Sequence, residues 1–190
     1  MREMRSAFEK ALERAERLGK LSPEEIRKGK EEKYIPVGQS LADRYLRHGY
    51  VQFLEEEVNR YSDDEKDMVR KAALSRLVDA IDLRDHEASG TAMAGILVLG
   101  GEQMVGEIRQ EIVDLLAAYG KAEKAKYEEQ KGEVERRERE LLHKLRISGS
   151  AVGEINLEAS ETWREVSRTL HCQFDRRLQE LGQQLLRNVS

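Results

Sequence analysis

Glu140 and His143 stand in a Glu-x-x-His spacing, the pair that helical bundles use to hold iron, because residues three apart share a helix face. A di-iron site needs two such pairs and two further carboxylates, and the chain has no second Glu-x-x-His. No metal is expected. His171 and Cys172 are neighbours, so on a helix they point about 100° apart and share a small ligand poorly. A thiol nucleophile also needs a base oriented by a third group, which nothing here announces. His171, between Leu170 and Phe174, is expected as a half-buried packing residue. Arg84, Asp85, His86 and Glu87 bring acid, base and cation together beside an expected loop. They mark where an enzyme site would sit.

The acidic run Glu55-Glu56-Glu57 is expected to be a solvated face. Asp63, Asp64, Glu65 and Asp67 suit the positive end of a helix and lack the glycine and alternating oxygen ligands of a calcium loop. Gly100-Gly101 and Gly106 do not form a phosphate loop, since no Gly-Lys-Ser/Thr follows. Lys121, Lys124, Lys126, Lys131, Arg136, Arg137 and Arg139 suggest a nucleic-acid face. They are interleaved with Glu123, Glu128, Glu129, Glu133, Glu135 and Glu138, which cancel most of the field and form pairs that support an exposed helix.

With no catalytic set and no cofactor expected, the elements carry more meaning than the motifs. The longest is Glu102 to Ile147, proline-free, with Val105, Ile108, Ile112, Leu115, Tyr119, Ala122, Tyr127, Val134, Leu141 and Leu145 in steps dominated by three and four. As one helix, or two end to end, it would run roughly 65–70 Å. A rod that long needs a partner alongside. Ser148 to Gly153 is the strongest break in the second half. A last helix is expected from about Leu157 to Leu186, with Trp163, Val166, Leu170, Phe174, Leu178, Leu181 and Leu185 as its stripe. The simplest arrangement is an antiparallel hairpin, coiled-coil-like with imperfect register, with Val134 and Leu141 on one rod and Phe174 and Leu178 on the other in its seam.

Upstream, Arg2 to Leu18 reads as an amphipathic helix closed by Gly19. Ser22-Pro23-Glu24-Glu25 opens a short charged helix ending near Glu32. Lys33 to Gly38 is expected to be extended, because Pro36 disfavours a helical Ile35. Two short helices follow, split at His48-Gly49. Ser62-Asp63-Asp64-Glu65 reads as a capping box for a helix running to about Leu83. Ala88-Ser89-Gly90-Thr91 looks like a break. Ala92 to Leu99, apolar on every face, is taken as a buried helix, with strand as the alternative.

Composition agrees. Charged residues make up 37% of 190, aromatics 5%, and prolines number two, a balance that favours helices with wide solvated faces. The net charge of −4 marks no polyanion-binding surface. One cysteine excludes an internal disulfide framework and suits a reducing compartment. The charged opening has no signal-peptide hydrophobic region, and the Ala92–Leu99 run is too short to span a bilayer. A cytoplasmic protein is expected.

The stretch Arg5 to Ala15, with Leu21-Ser22-Pro23-Glu24-Glu25 after it, resembles the opening of an uncharacterised family of short bacterial helical proteins. The resemblance covers about the first fifty residues. It implies a bacterial origin and carries no activity, cofactor or site.

The expected fold is all-α: a helical globular part over 1–118 and a long antiparallel helical hairpin over 119–190, with its Gly/Ser loop at 148–153. The expected function is that of a non-enzymatic interaction protein, an adaptor, scaffold or assembly factor. Its partners would be a second copy, giving a homodimer, and another protein. Val134, Leu141, Leu145, Trp163, Leu170, Phe174 and Leu178 are the expected contact residues, since apolar stripes on long helices mark partner contact. Nucleic-acid binding through the mixed-charge helix, and an enzyme site near Arg84, are the alternatives.

Overall fold

The computed structural model describes residues 22–147, 158 and 160–189. The expected Arg2–Leu18 helix, its Gly19 cap and the Gly/Ser loop at 148–153 lie outside the described residues. Within them there are six helices and no strand: α1 (Pro23–His48), α2 (Val51–Asn59), α3 (Asp63–Val78), α4 (His86–Gly100), α5 (Glu102–Lys144) and α6 (Glu161–Val189). None is long and apolar enough to cross a membrane.

Helix α1 corrects the sequence reading most. It starts where expected: Glu25 N–H donates to Ser22 Oγ (3.1 Å) and Ser22 N–H to Glu25 Oε2 (2.7 Å), a complete capping box. It then runs straight through Pro36 for 26 residues instead of ending near Glu32. An internal proline costs about 3 kcal/mol by removing a ladder bond and crowding the preceding turn. Pro36 is exposed, whereas Tyr34, Gly38, Ala42 and Tyr45 form a buried stripe on α1, in steps of four, four and three. That stripe lies against α3 at close range. A Cβ on Gly38 would collide with the Val69 carbonyl and come within 2.7 Å of Ala72 Cβ. Tertiary contact outweighs the local penalty of proline. Gly49 ends the helix as expected, at φ 71° with its N–H on Tyr45 O (2.7 Å).

Two smaller expectations are also corrected. The capping box at Ser62 does not form: its hydroxyl makes no cap bond, and Asp63 takes φ 46°, a conformation Asp tolerates better than most residues. The supposed break at Ala88–Thr91 is the first part of α4. Asp85 caps that helix through Ala88 N–H (2.9 Å). Ser89, fully buried, accepts from Asp82 N–H and donates to Asp82 O (2.9 and 2.7 Å), pinning the preceding loop. The apolar stretch 92–99 is helical, and Ala92, Met93, Ile96 and Leu99 are in the core.

One hydrophobic cluster runs through all six helices, with Tyr45, Leu54, Leu74, Leu77, Ile96, Ile112, Leu181 and Leu185 fully buried. Helix α5 is a single rod of 43 residues, about 64 Å long. α6 runs antiparallel to it. From the body outward, Asn188 Nδ2 donates to Met104 O (3.5 Å), Arg177 pairs with Glu111 (3.0 Å), Phe174 stands edge-on to Tyr119 (5.5 Å), and Trp163 stands edge-on to Tyr127 (4.9 Å). The hairpin is therefore real, but its pairing lies nearer the body than the stripe spacing suggests. Phe174 meets Tyr119, Leu178 belongs to the body core, and Leu141 stands outside the seam, about half exposed. α6 has two partners: the other side of its stripe packs on α3, where a Cβ on Gly182 would lie 2.8 Å from Val78 Cγ1. That second contact fixes the register.

Candidate interaction site

The seven expected contact residues fall into two groups. Trp163 and Leu178 are buried, and Leu170 and Phe174 are half-buried, all against α5 or the body core. Leu141 and Leu145, with Ile147 just beyond α5, are 48%, 68% and 39% exposed. Val134 sits on the same part of α5 as Leu141; its side chain lies outside the described residues. The structure thus divides an internal seam from an outer apolar end.

The division falls at the Tyr127–Trp163 contact. α6 begins at Glu161, capped by Ser160, whose buried hydroxyl accepts from Trp163 N–H (3.1 Å). No described residue of α6 reaches beyond this level of α5. The outer stretch and its base carry exposed and half-buried charges in i,i+3 and i,i+4 pairs: Lys126–Glu129, Glu133–Arg137, Arg136–Glu140 and Glu135–Arg139. Such surface pairs contribute only a few tenths of a kcal/mol each. They engage within the helix Lys126, Arg136, Arg137 and Arg139, four of the seven cations that suggested a nucleic-acid face. Glu140 and His143 are both exposed. Among the described residues no group of three or more His, Cys, Asp or Glu is placed to hold a metal.

Inward of the Trp163 contact, a closed polar junction ties the α3–α4 loop to both long helices. Arg84 Nε donates to Tyr119 Oη (3.2 Å) and its Nη2 to Ser167 Oγ (3.0 Å). Tyr119 and Ser167 both donate to Glu123 Oε1 (3.0 and 3.1 Å). The junction borders an open cavity of about 500 Å³ that Trp163, Arg168 and His171 also line. The hydrogen bond to Tyr119 raises the Arg84 pKa, so the guanidinium stays charged. Burial pushes the Tyr119 phenol up; the Arg84 bond pulls it back, and donation to Glu123 pushes it up again. Burial alone raises Tyr45.

These groups hold elements together rather than converge on a reactant. Of the four residues marked as a possible enzyme site, only Arg84 joins the junction. Asp85 caps α4, and His86 and Glu87 are exposed. His171 is half-buried, edge-on to Tyr119 at 6.0 Å, and Cys172 is exposed. Tyr119 was legible only as a stripe residue and Ser167 not at all, because hydrogen bonds spanning 35 to 83 residues leave no local sequence signal.

The junction carries a testable pH dependence. An unfolded tyrosine titrates near pH 10, and Tyr45 and Tyr119 titrate higher in the fold. Their contribution to stability is full below about pH 10 and is lost as pH rises through the folded values. Thermal melts followed by circular dichroism should show Tm falling above about pH 10, with a shallower fall in Tyr119→Phe. An identical alkaline slope in that variant would contradict this account.

Geometry defines the class first: an all-α body with a long antiparallel helix pair, α5 extending beyond the described residues of α6 and bearing exposed leucines. Residues 55–187, from within α2 to near the end of α6, match a family of unknown function (DUF6657), and the chain belongs to it. The matched residues lie beyond the opening fifty on which the resemblance noted above rests. No curated protein and no solved structure matches the chain.

Proposed function

We propose that this chain is a non-enzymatic interaction protein, an adaptor, scaffold or assembly factor of a bacterial cytoplasm. It acts as a homodimer that engages another protein through its long helices. The single observation that carries this reading is the outer end of α5, where Leu141 and Leu145 are exposed and which no described residue of α6 reaches. Large exposed apolar side chains grouped on one element mark contact surfaces. An amphipathic helix offers them at the spacing a partner helix or groove accepts.

The test is comparative. The tagged full chain and Leu141→Glu/Leu145→Glu would be expressed in the native host and their captured proteins compared. The expected result is that a partner present with the wild type is lost by the variant, with helicity and Tm unchanged, because both leucines already face water. Equal capture by the two forms would remove the outer end of α5 from the mechanism.

A further inference from the structure

We propose that the outer segment of α5 pairs with the same segment of a second copy, antiparallel and about a two-fold axis near Arg136. This rests on the interaction reading above and names the partner of its exposed end. The observation behind it is a segregation of charge. Residues 128–135 hold four glutamates and one lysine, a net −3; residues 136–146 hold four arginines and one lysine against two glutamates, a net +3. The macrodipole accounts for cations only in the last turn, which leaves Arg136, Arg137 and Arg139 to another cause. Intrahelical pairs such as Glu133–Arg137 account for neighbours without requiring opposite net charge over the two halves.

A helix with one acidic and one basic half is complementary to itself in one orientation only. Side by side and antiparallel, each acidic half faces a basic half; parallel, like faces like at both ends. Packed helix axes lie about 8–10 Å apart, comparable to the Debye length of about 8–10 Å near physiological salt, so the halves sense each other. A closed two-fold arrangement brings the same patch of each subunit together. Tyr127, Lys131, Glu138, Leu141 and Leu145 share one helix face by their spacing. With the axis at Arg136, Leu141 of one copy lies level with Lys131 of the other, and Leu145 reaches the level of the Tyr127–Trp163 contact where α6 begins. The leucines supply the apolar contact, the Lys131 stem extends it, and the charges select the direction.

The experiment uses the full chain with Cys172→Ser, which removes an exposed thiol. One variant reverses the acidic half (Glu128, Glu129, Glu133 and Glu135 to Lys); another reverses the basic half (Arg136, Arg137 and Arg139 to Glu). Mass is read by light scattering, helicity by circular dichroism, and the dimer dissociation constant by sedimentation at low and high salt. The parent should be a dimer, and each variant alone should dimerise at least about tenfold more weakly, since like charges then face each other along the whole segment. A one-to-one mixture of the two variants should restore a heterodimer, and salt should weaken it. A mixture that stays monomeric while both components keep their helicity overturns the pairing. If the variants dimerise as tightly as the parent, the contact lies elsewhere; the pairing is overturned and the adaptor reading stands. A parent monomeric up to about 0.1 mM, a concentration that would populate even weak dimers, overturns the pairing and removes the homodimer from that reading.

Discussion

Replacing Tyr45 with alanine is expected to remove about 3–5 kcal/mol of unfolding free energy, the cost of truncating a buried aromatic without refilling its space. Tyr45 is 1% exposed, and its hydroxyl donates to Thr91 O across 2.9 Å, joining α1 to α4. Its ring lies so close to α4 that a Cβ on Gly95 would stand 2.5 Å from Cε1. Contact and hydrogen bond can be separated. Tyr45→Phe keeps the ring and should cost only about 1 kcal/mol, the net value of an ordinary hydrogen bond. A domain of this kind has about 5–15 kcal/mol in total, so the alanine variant approaches the limit of folding. Urea unfolding of the pair would measure both effects. Gly95→Ala refines the test: it overpacks the wild type yet partly fills the space left by Tyr45→Ala, so the double variant should lose less than the two single losses added. Equal stabilities for Tyr45→Phe and Tyr45→Ala would mean that the ring is not seated as described.

What the sequence could and could not reveal follows from the reach of each interaction. Helix α5 was legible because its pattern is local and repeated, with apolar residues every three or four positions and no proline. α4 was legible in its apolar part for the same reason. Pro36 misled because a local rule, the proline penalty, met a close contact made by a stripe whose partner lies some thirty residues further along the chain. The hairpin register misled for a related reason. Leu170, Phe174 and Leu178 announce a face to be buried but not its addressee, and α6 divides its surface between α5 and α3. The Arg84–Tyr119–Glu123–Ser167 junction was invisible because each member has an ordinary local role. The separated charges of 128–146 were in plain view, yet the alternation of signs is locally so regular that it conceals the imbalance between the halves.

Trp163→Ala should cost about 3 kcal/mol, the lower end of the range for truncating a buried aromatic, since Trp163 is 8% exposed, packs edge-on to Tyr127 and borders the open cavity. The loss should be unevenly distributed. Beyond Trp163 toward its C-terminus, α6 is held by Ser167 in the polar junction, by Phe174 on Tyr119, and by Leu178, Leu181 and Leu185 in the body. Its first turn is tied down by the Ser160 cap and the Tyr127–Trp163 contact, nearer the start of the helix than any of these. Protein regions open in cooperative units whose free energies track their buried contacts, so the variant should open its first turn before the body. Hydrogen exchange should show lost protection at residues 163–167 and little change at 178–189. Protection falling equally along α6 would mean that the helix opens as a whole. The same variant bears on the outer arm, because Tyr127 is where α5 meets the first turn of α6 and passes beyond its described residues. Once Tyr127 loses the indole it packs on, the stretch from Glu128 outward begins from a looser base. Any association built on that stretch then carries an added ordering cost, since fixing one residue's backbone costs about 1–2 kcal/mol. Trp163→Ala should therefore weaken self-association although residue 163 lies outside the pairing segment, whereas Leu181→Ala, which loosens the body instead, should lower stability and leave association nearly unchanged.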